Sequence, residues 1–173
     1  MNATRPQTER TTEKKKTKPS QNDKEIRKLD KMINEIKFAM LTTIDADGSI
    51  RSRPMMTPPM RFEGSLWFFT GRSTGKVHSI ENDQRVNVTY VDADNSRYVS
   101  ISGRAAMVDD RAKASELWKP EYETWFPEGL DDPELSLIKI DVDEAEYWES
   151  PAGDCVRVEG LKEGKPEESK DLH

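Results

Sequence analysis

Two short stretches of this 173-residue chain bring cationic and hydroxyl side chains close together. Arg51 and Arg53 stand two positions apart in Ser49–Met56, a segment that reads as extended. Both guanidinium groups can therefore face the same side of one strand. A guanidinium presents a planar fork of N–H donors, keeps its charge at neutral pH and matches a phosphate group. The same pair also suits a solvent-facing sheet edge. Further along, Thr70 ends a β-prone run, and Gly71-Arg72-Ser73-Thr74-Gly75-Lys76 leads into a predicted helix. The hydroxyls of Ser73 and Thr74, the free N–H groups of a helix start and the Lys76 ammonium would make a phosphate cradle. A simple helix-capping turn is the competing reading. The stretch is not a P-loop, because the glycine spacing and the terminal Gly-Lys-Ser/Thr order are absent.

Other chemically capable residues are less well placed. His78 falls within the predicted helix Ser73–Ile80, where a surface or structural role suits it better than proton transfer. Cys155 is the only cysteine, has no Cys-x-x-Cys partner and reads as an inert thiol. Asp45, Asp47, Asp131 and Asp132 are scattered through turns and do not form a converging ligand set, so no metal site is expected. Trp118, Trp125 and Phe126 have the character of a lid or of a subunit surface.

The elements that must carry these groups are short. Asn22 with Glu25 three positions later resembles a capping box, and Ile26, Leu29, Ile33 and Ile36 follow at helical spacing. From Phe38 the periodicity changes. Phe38–Ile44, Ser49–Met56, Leu66–Thr70, Arg85–Val91 and Tyr98–Val108 read as strands, joined by Gly- and Asp-rich turns. Pro54 demotes part of its segment to an edge or to the end of a ladder. Asp109 or Asp110 can cap a short helix holding Ala112, Ala114 and Leu117. An aromatic loop then leads to two final strand candidates, Leu135–Val142 and Ala145–Trp148. The connections are too short for parallel crossovers, so the sheet should be antiparallel. Five or six such strands with short peripheral helices favour a closed or partly closed small barrel.

Composition sets the boundaries. Only 34% of the residues are hydrophobic and 35% are charged, but the polar excess collects at the two ends. Residues 1–23 and 160–173 read as disordered charged tails around one domain at 24–159, with the assignment of 150–159 left open. The net charge of −6 argues against a general nucleic-acid binder, and only the Lys14–Lys18 run hints at one. No apolar run is long enough to cross a membrane, and the start has no signal-like core. A single cysteine suits a reducing cytoplasm.

Taken in order, these landmarks resemble the FMN-binding split-barrel family of the pyridoxamine 5'-phosphate oxidases, and within it the general stress protein branch. The resemblance spans about Lys24 to Glu149. It is carried by Phe38-Ala39-Met40-Leu41-Thr42-Thr43, Arg51-Ser52-Arg53-Pro54-Met55, Leu66-Trp67-Phe68-Phe69-Thr70 and Ser73-Thr74-Gly75-Lys76-Val77-His78-Ser79-Ile80. Val86-Asn87-Val88-Thr89-Tyr90, Trp125-Phe126-Pro127-Glu128-Gly129 and Glu146-Tyr147-Trp148 extend it. It implies a six-stranded antiparallel split barrel and a homodimer with two FMN sites between subunits. Arg53 would serve the phosphate, with Arg51 as alternative or helper. Phe69 and Thr70 would lie against the flavin crease, Thr74 and Lys76 around the phosphate, and Trp148 beside the ring.

Two departures bear on activity. Gly75 stands where the oxidases can carry arginine, which leaves Arg72 or Arg51 to compensate. The Arg-x-His substrate motif is also missing, since Arg157 is followed by Val158 and Glu159. Vitamin B6 oxidation is thus less expected than FMN binding itself. One implied function is electron transfer between a reduced nicotinamide or other donor and a small molecule. The alternative is a flavin-binding or redox-responsive stress protein with little turnover.

Overall fold

The computed structural model describes residues 20–150, 152–159 and 161. The tail expectations for residues 1–19 and for most of 160–173 lie outside the described residues. Helix α1 spans Gln21–Glu35. Its cap is Ser20 rather than Asn22: the Ser20 hydroxyl accepts from Asp23 N at 3.1 Å, and the Asp23 carboxylate accepts from Ser20 N at 2.9 Å. The reciprocal box of the sequence reading exists, set two residues earlier. Leu29, Met32 and Ile33 form the buried stripe of this helix.

Strands β1 (Phe38–Ile44) and β2 (Ile50–Met56) form a hairpin. Its turn closes through Asp45 N to Ser49 O at 2.8 Å and is completed by Gly48 at φ 82°, a value that favours glycine. After β3 (Ser65–Gly71) come helix α2 (Gly75–Asn82), β4 (Arg85–Asp92) and β5 (Arg97–Val108). Helix α3 (Arg111–Leu117) is capped by Asp110, whose side chain accepts from Lys113 N at 2.9 Å. Two 3-10 turns, Pro120–Thr124 and Gly129–Asp131, lead to β6 (Leu135–Trp148) and β7 (Val156–Val158).

The two last strand candidates of the sequence are one 14-residue strand, β6. The register of β5 against β6 shifts between Ser102 and Gly103, and this bulge lets both strands run on instead of ending. A Cβ on Gly103 would fall 2.3 Å from the Asp141 carbonyl, so the two backbones meet at a distance only glycine permits.

All ladders are antiparallel, in the order β2-β1-β4-β5-β6-β3, and β7 also pairs with β6. Along β6, β3 takes Leu135–Asp141 and β7 takes Ala145–Tyr147. The expected six-stranded barrel is therefore corrected to a seven-stranded sheet whose path is open, with β2 and β3 at its ends and unpaired to each other. The segment joining them explains why. It gives its N–H groups elsewhere: Thr57 N to Lys37 O (2.8 Å), Met60 N to the Asn34 side chain (3.0 Å) and Phe62 N to the Asp30 carboxylate (2.7 Å). The chain is held over α1 and does not turn back as a hairpin. Pro54 does lie on the edge strand, as its missing N–H requires.

Most of the core is packed from one face of this sheet, with Leu41, Val88, Ile101, Phe68 and Ile138 fully enclosed, while Phe69 and Leu137 are buried on the other face of β3 and β6. Burying such side chains stabilises the fold by about 1.5–3 kcal/mol each relative to exposure. The opposite face of β1 and its neighbours is unusually apolar for solvent. Phe38 and Met40 alternate with buried Ala39 and Leu41, Ile50 pairs with Ile44, and Val91 follows buried Tyr90, so four large exposed side chains share one face.

Candidate functional site

A cavity of about 480 Å³ opens where the end of β3 meets α2 and the aromatic loop. One side is apolar and aromatic, formed by Met55, Phe69, Tyr122, Trp125 and Phe126. The other is polar, formed by Thr70, Thr74 and Lys76, with Glu134 at its margin. Its aromatic wall is a connected stack. Phe69 and Tyr122 have ring centroids 4.5 Å apart, Phe69 meets Trp118 edge-on at 5.6 Å, and Tyr122 lies 6.5 Å from Trp125.

The polar wall follows from how α2 begins. Thr74 is the N-cap but makes no side-chain cap bond. Its hydroxyl instead donates to Gly71 O at 2.8 Å and lies 3.3 Å from the buried Thr70 hydroxyl. Lys76 Nζ reaches Thr74 Oγ1 at 3.3 Å. Burial pushes the Lys76 ammonium below lysine's ordinary range, and the positive charge of Arg53 pushes it further the same way. A half-buried cation facing a second cation is electrostatically set for an anion.

Arg53 does not line the cavity, but its charge bears on Lys76. Arg53 is largely covered, donates to the fully buried Thr43 hydroxyl at 3.0 Å and lies 3.9 Å from Asp45. Arg51 shares its strand face but points into solvent, with Nε 3.3 Å from Asp45 and a side chain 62% exposed. Ser73 is already engaged: its N–H and hydroxyl reach the same Glu134 oxygen at 3.1 and 2.6 Å, which holds that carboxyl below its usual range. Arg72 is committed too, through a two-pronged pair with Asp109 at 3.0 and 2.6 Å and a bond to Pro133 O. It does not make up for the cation missing at Gly75.

Of the eight residues expected from the sequence, Phe69, Thr70, Thr74 and Lys76 line one cavity. Arg53 does not line it but acts on Lys76 through its charge. Arg51 and Ser73 are turned to protein carboxylates. Trp148 lies at the far end of β6, opposite Tyr98, whereas Leu135 at the near end pairs with Gly71 beside the cavity. About 40 Å of strand separates the two ends. Sequence reasoning missed Tyr122, Asp45 and Glu134. Tyr122 sits four residues after Trp118 and three before Trp125, a spacing that could have marked it as part of the same aromatic wall.

An open antiparallel sheet with an aromatic, cationic cavity at one end defines a mainly β domain with room for one small planar anion. The comparisons with known proteins agree in fold and go further. Residues 24–168 match the family model described as pyridoxamine 5'-phosphate oxidase like, and the chain belongs to that family. Among curated proteins it is 27% identical over 158 residues to "Protein bli-3" of Neurospora crassa, covering 83% of this chain and 76% of that one. Among solved structures it is similar to the general stress FMN/FAD binding protein of Xanthomonas citri, at 27% identity and a TM-score of 0.64, covering 81% of this chain and 99% of the other. A general stress family protein of Xanthomonas campestris pv. campestris is 25% identical with a TM-score of 0.66, over 84% and 100% of the two chains. Among the described residues, no helix is long and apolar enough to cross a membrane.

Proposed function

We propose that this protein binds FMN in the cavity between β3, α2 and the aromatic loop, as a general-stress-type flavoprotein. One observation carries the reading: Lys76 is half-buried, desolvated and faced by Arg53 beside the Thr70 and Thr74 hydroxyls, against an aromatic wall. Such an arrangement asks for a dianion joined to a flat ring system. The residues present fit the cofactor. Lys76 and Thr74 would hold the phosphate, with Arg53 adding positive charge, and Phe69 and Thr70 would lie along the ring. The X. citri relative, described as FMN/FAD binding, supports this reading.

Bound flavin would supply reversible uptake of electrons, and the chain's own part is to orient it and keep water from it. We favour electron transfer from a reduced nicotinamide or other donor to a small molecule, in the cytoplasm. The exposed apolar face of Phe38, Met40, Ile50 and Val91 favours a homodimer.

The test compares FMN with riboflavin, which keeps the ring and lacks the phosphate. Calorimetric titration of Lys76→Ala and Arg53→Ala should show FMN weakened by about 1–3 kcal/mol and riboflavin much less. Equal losses for both ligands would remove the phosphate assignment. Rapid reoxidation of bound, reduced flavin by a defined small acceptor would favour an enzyme, and tight retention without turnover a binding protein.

A further inference from the structure

Among the described residues that line the cavity, Glu134 carries the only carboxylate. Its Oε2 lies 3.7 Å, and the Thr74 methyl 3.3 Å, from the point that a Cβ on Gly71 would occupy, so the carboxylate adjoins the Thr74 side of the polar wall. That is the end of the cavity where Thr74 and Lys76 face an anion. A fixed negative charge beside such a place works against an anionic ligand.

The same oxygen occupies two donors that suit an anion. It accepts from the Ser73 N–H at 3.1 Å and from the Ser73 hydroxyl at 2.6 Å, one residue before the N-cap of α2. These bonds hold the carboxyl below its usual range, so it is ionised at neutral pH. Glu134 thus has both the charge and the contacts of a ligand anion. Its backbone is fixed, because its N–H donates to Asp132 Oδ1 at 3.0 Å and its carbonyl accepts from Arg72 N at 2.9 Å. Glu134 and Ser73 are both exposed. Rotation of the Glu134 side chain into solvent therefore frees both donors and leaves β6 in place.

We propose that Ser73 is a further phosphate-binding residue, whose N–H and hydroxyl are held by the Glu134 carboxylate until the phosphate of a ligand displaces it. Lys76 and Thr74 serve the same phosphate. The assignment rests on the flavin reading and deepens it, because it names the groups that exchange partners at the anionic end.

Glu134→Ala removes the competing anion and leaves both Ser73 donors open. Calorimetry should show FMN bound about tenfold more tightly than by wild type, and riboflavin, which lacks the phosphate, bound with unchanged affinity. The ligand-free variant should unfold at a slightly lower temperature, since the Ser73 contacts are gone, so stability and FMN affinity move in opposite directions. Glu134→Gln should also tighten FMN, by a smaller factor, because its amide oxygen still accepts from Ser73. Ser73→Ala added to Glu134→Ala should reverse part of the gain. FMN affinity that is unchanged or weakened in both Glu134 variants would overturn the proposal, as would an equal gain for riboflavin. A gain that survives Ser73→Ala intact would overturn it too, leaving Glu134 as a simple repulsive charge. Inorganic phosphate separates this exchange from the flavin reading. Tighter phosphate binding by Glu134→Ala in a protein that takes up no flavin would support the exchange and remove the flavin. Wild-type protein and Glu134→Ala that both bind neither flavin nor phosphate would overturn the two together.

Discussion

Ser79 and Asp45 join the helix that carries Lys76 to the β1–β2 turn, the Ser79 hydroxyl lying 2.6 Å from Asp45 Oδ1. The same carboxylate lies 3.3 Å from Arg51 Nε and 3.9 Å from Arg53 Nη2. Two sequence segments that each supply a cation thus share one mostly covered anion. The placement of Lys76 relative to Arg53 depends on it.

Removing that anion should therefore cost more than removing its exposed partner. Asp45→Ala leaves the Ser79 hydroxyl and the largely covered Arg53 without their carboxylate, and should destabilise the protein by about 1–3 kcal/mol. Arg51→Ala removes only an exposed ion pair and should change stability by no more than about 0.5 kcal/mol. Urea unfolding of both variants measures the difference, and equal effects would deny Asp45 this tying role.

Lys76 predicts a stability change of the opposite sign. Its folded-state pKa lies below lysine's ordinary value because burial and Arg53 disfavour its charge. Between the lowered and the ordinary value the unfolded chain binds more protons, so ligand-free stability should rise as pH climbs through that alkaline window. Below the window the charged form carries the full penalty. Lys76→Met should accordingly stabilise the ligand-free protein at neutral pH and flatten its alkaline pH dependence. Thermal unfolding across pH 7 to about 10 checks both statements.

Gly103 should tolerate no side chain. In Gly103→Ala the new Cβ would need to displace the Asp141 carbonyl, 2.3 Å away, and would lie 3.0 Å from Ile140 Cγ2. Neither strand can yield without breaking the β5–β6 ladder around the bulge. A loss of roughly 3 kcal/mol is expected by chemical denaturation. Gly75→Ala, whose Cβ would meet nothing within 4 Å, is the control and should be nearly neutral.

The outer sheet face gives a prediction about assembly. Met40 is 41% exposed and Ile50 75% exposed, on neighbouring strands beside Phe38 and Val91. If this face is the homodimer interface, a charge placed in it must be desolvated on association. Met40→Glu should shift sedimentation equilibrium towards monomer by at least tenfold in dissociation constant, equivalent to about 1.4 kcal/mol. An unchanged association constant would move the interface elsewhere.

Much of this architecture was legible before the fold was known. The alternation through Phe38–Ile44 and Arg85–Tyr90, the Asp-Gly turn and the helical stripe of α1 are local signals, because period and turn chemistry act over a few residues. So were Thr70, Thr74 and Lys76, since a strand end, a helix start and the groups between them are neighbours in sequence. Only tertiary structure decided the rest. It kept the sheet open, because the segment after β2 spends its N–H groups on α1. It merged two strand candidates into β6 through a bulge that depends on β5. It turned Arg51 and Ser73 to Asp45 and Glu134, and brought Tyr122 against Phe69, across sequence separations that no local period encodes. A strand's residues state which of them share a face. Which distant carboxylate claims a cation, and which hydroxyl is buried without a partner, is settled only when the elements pack.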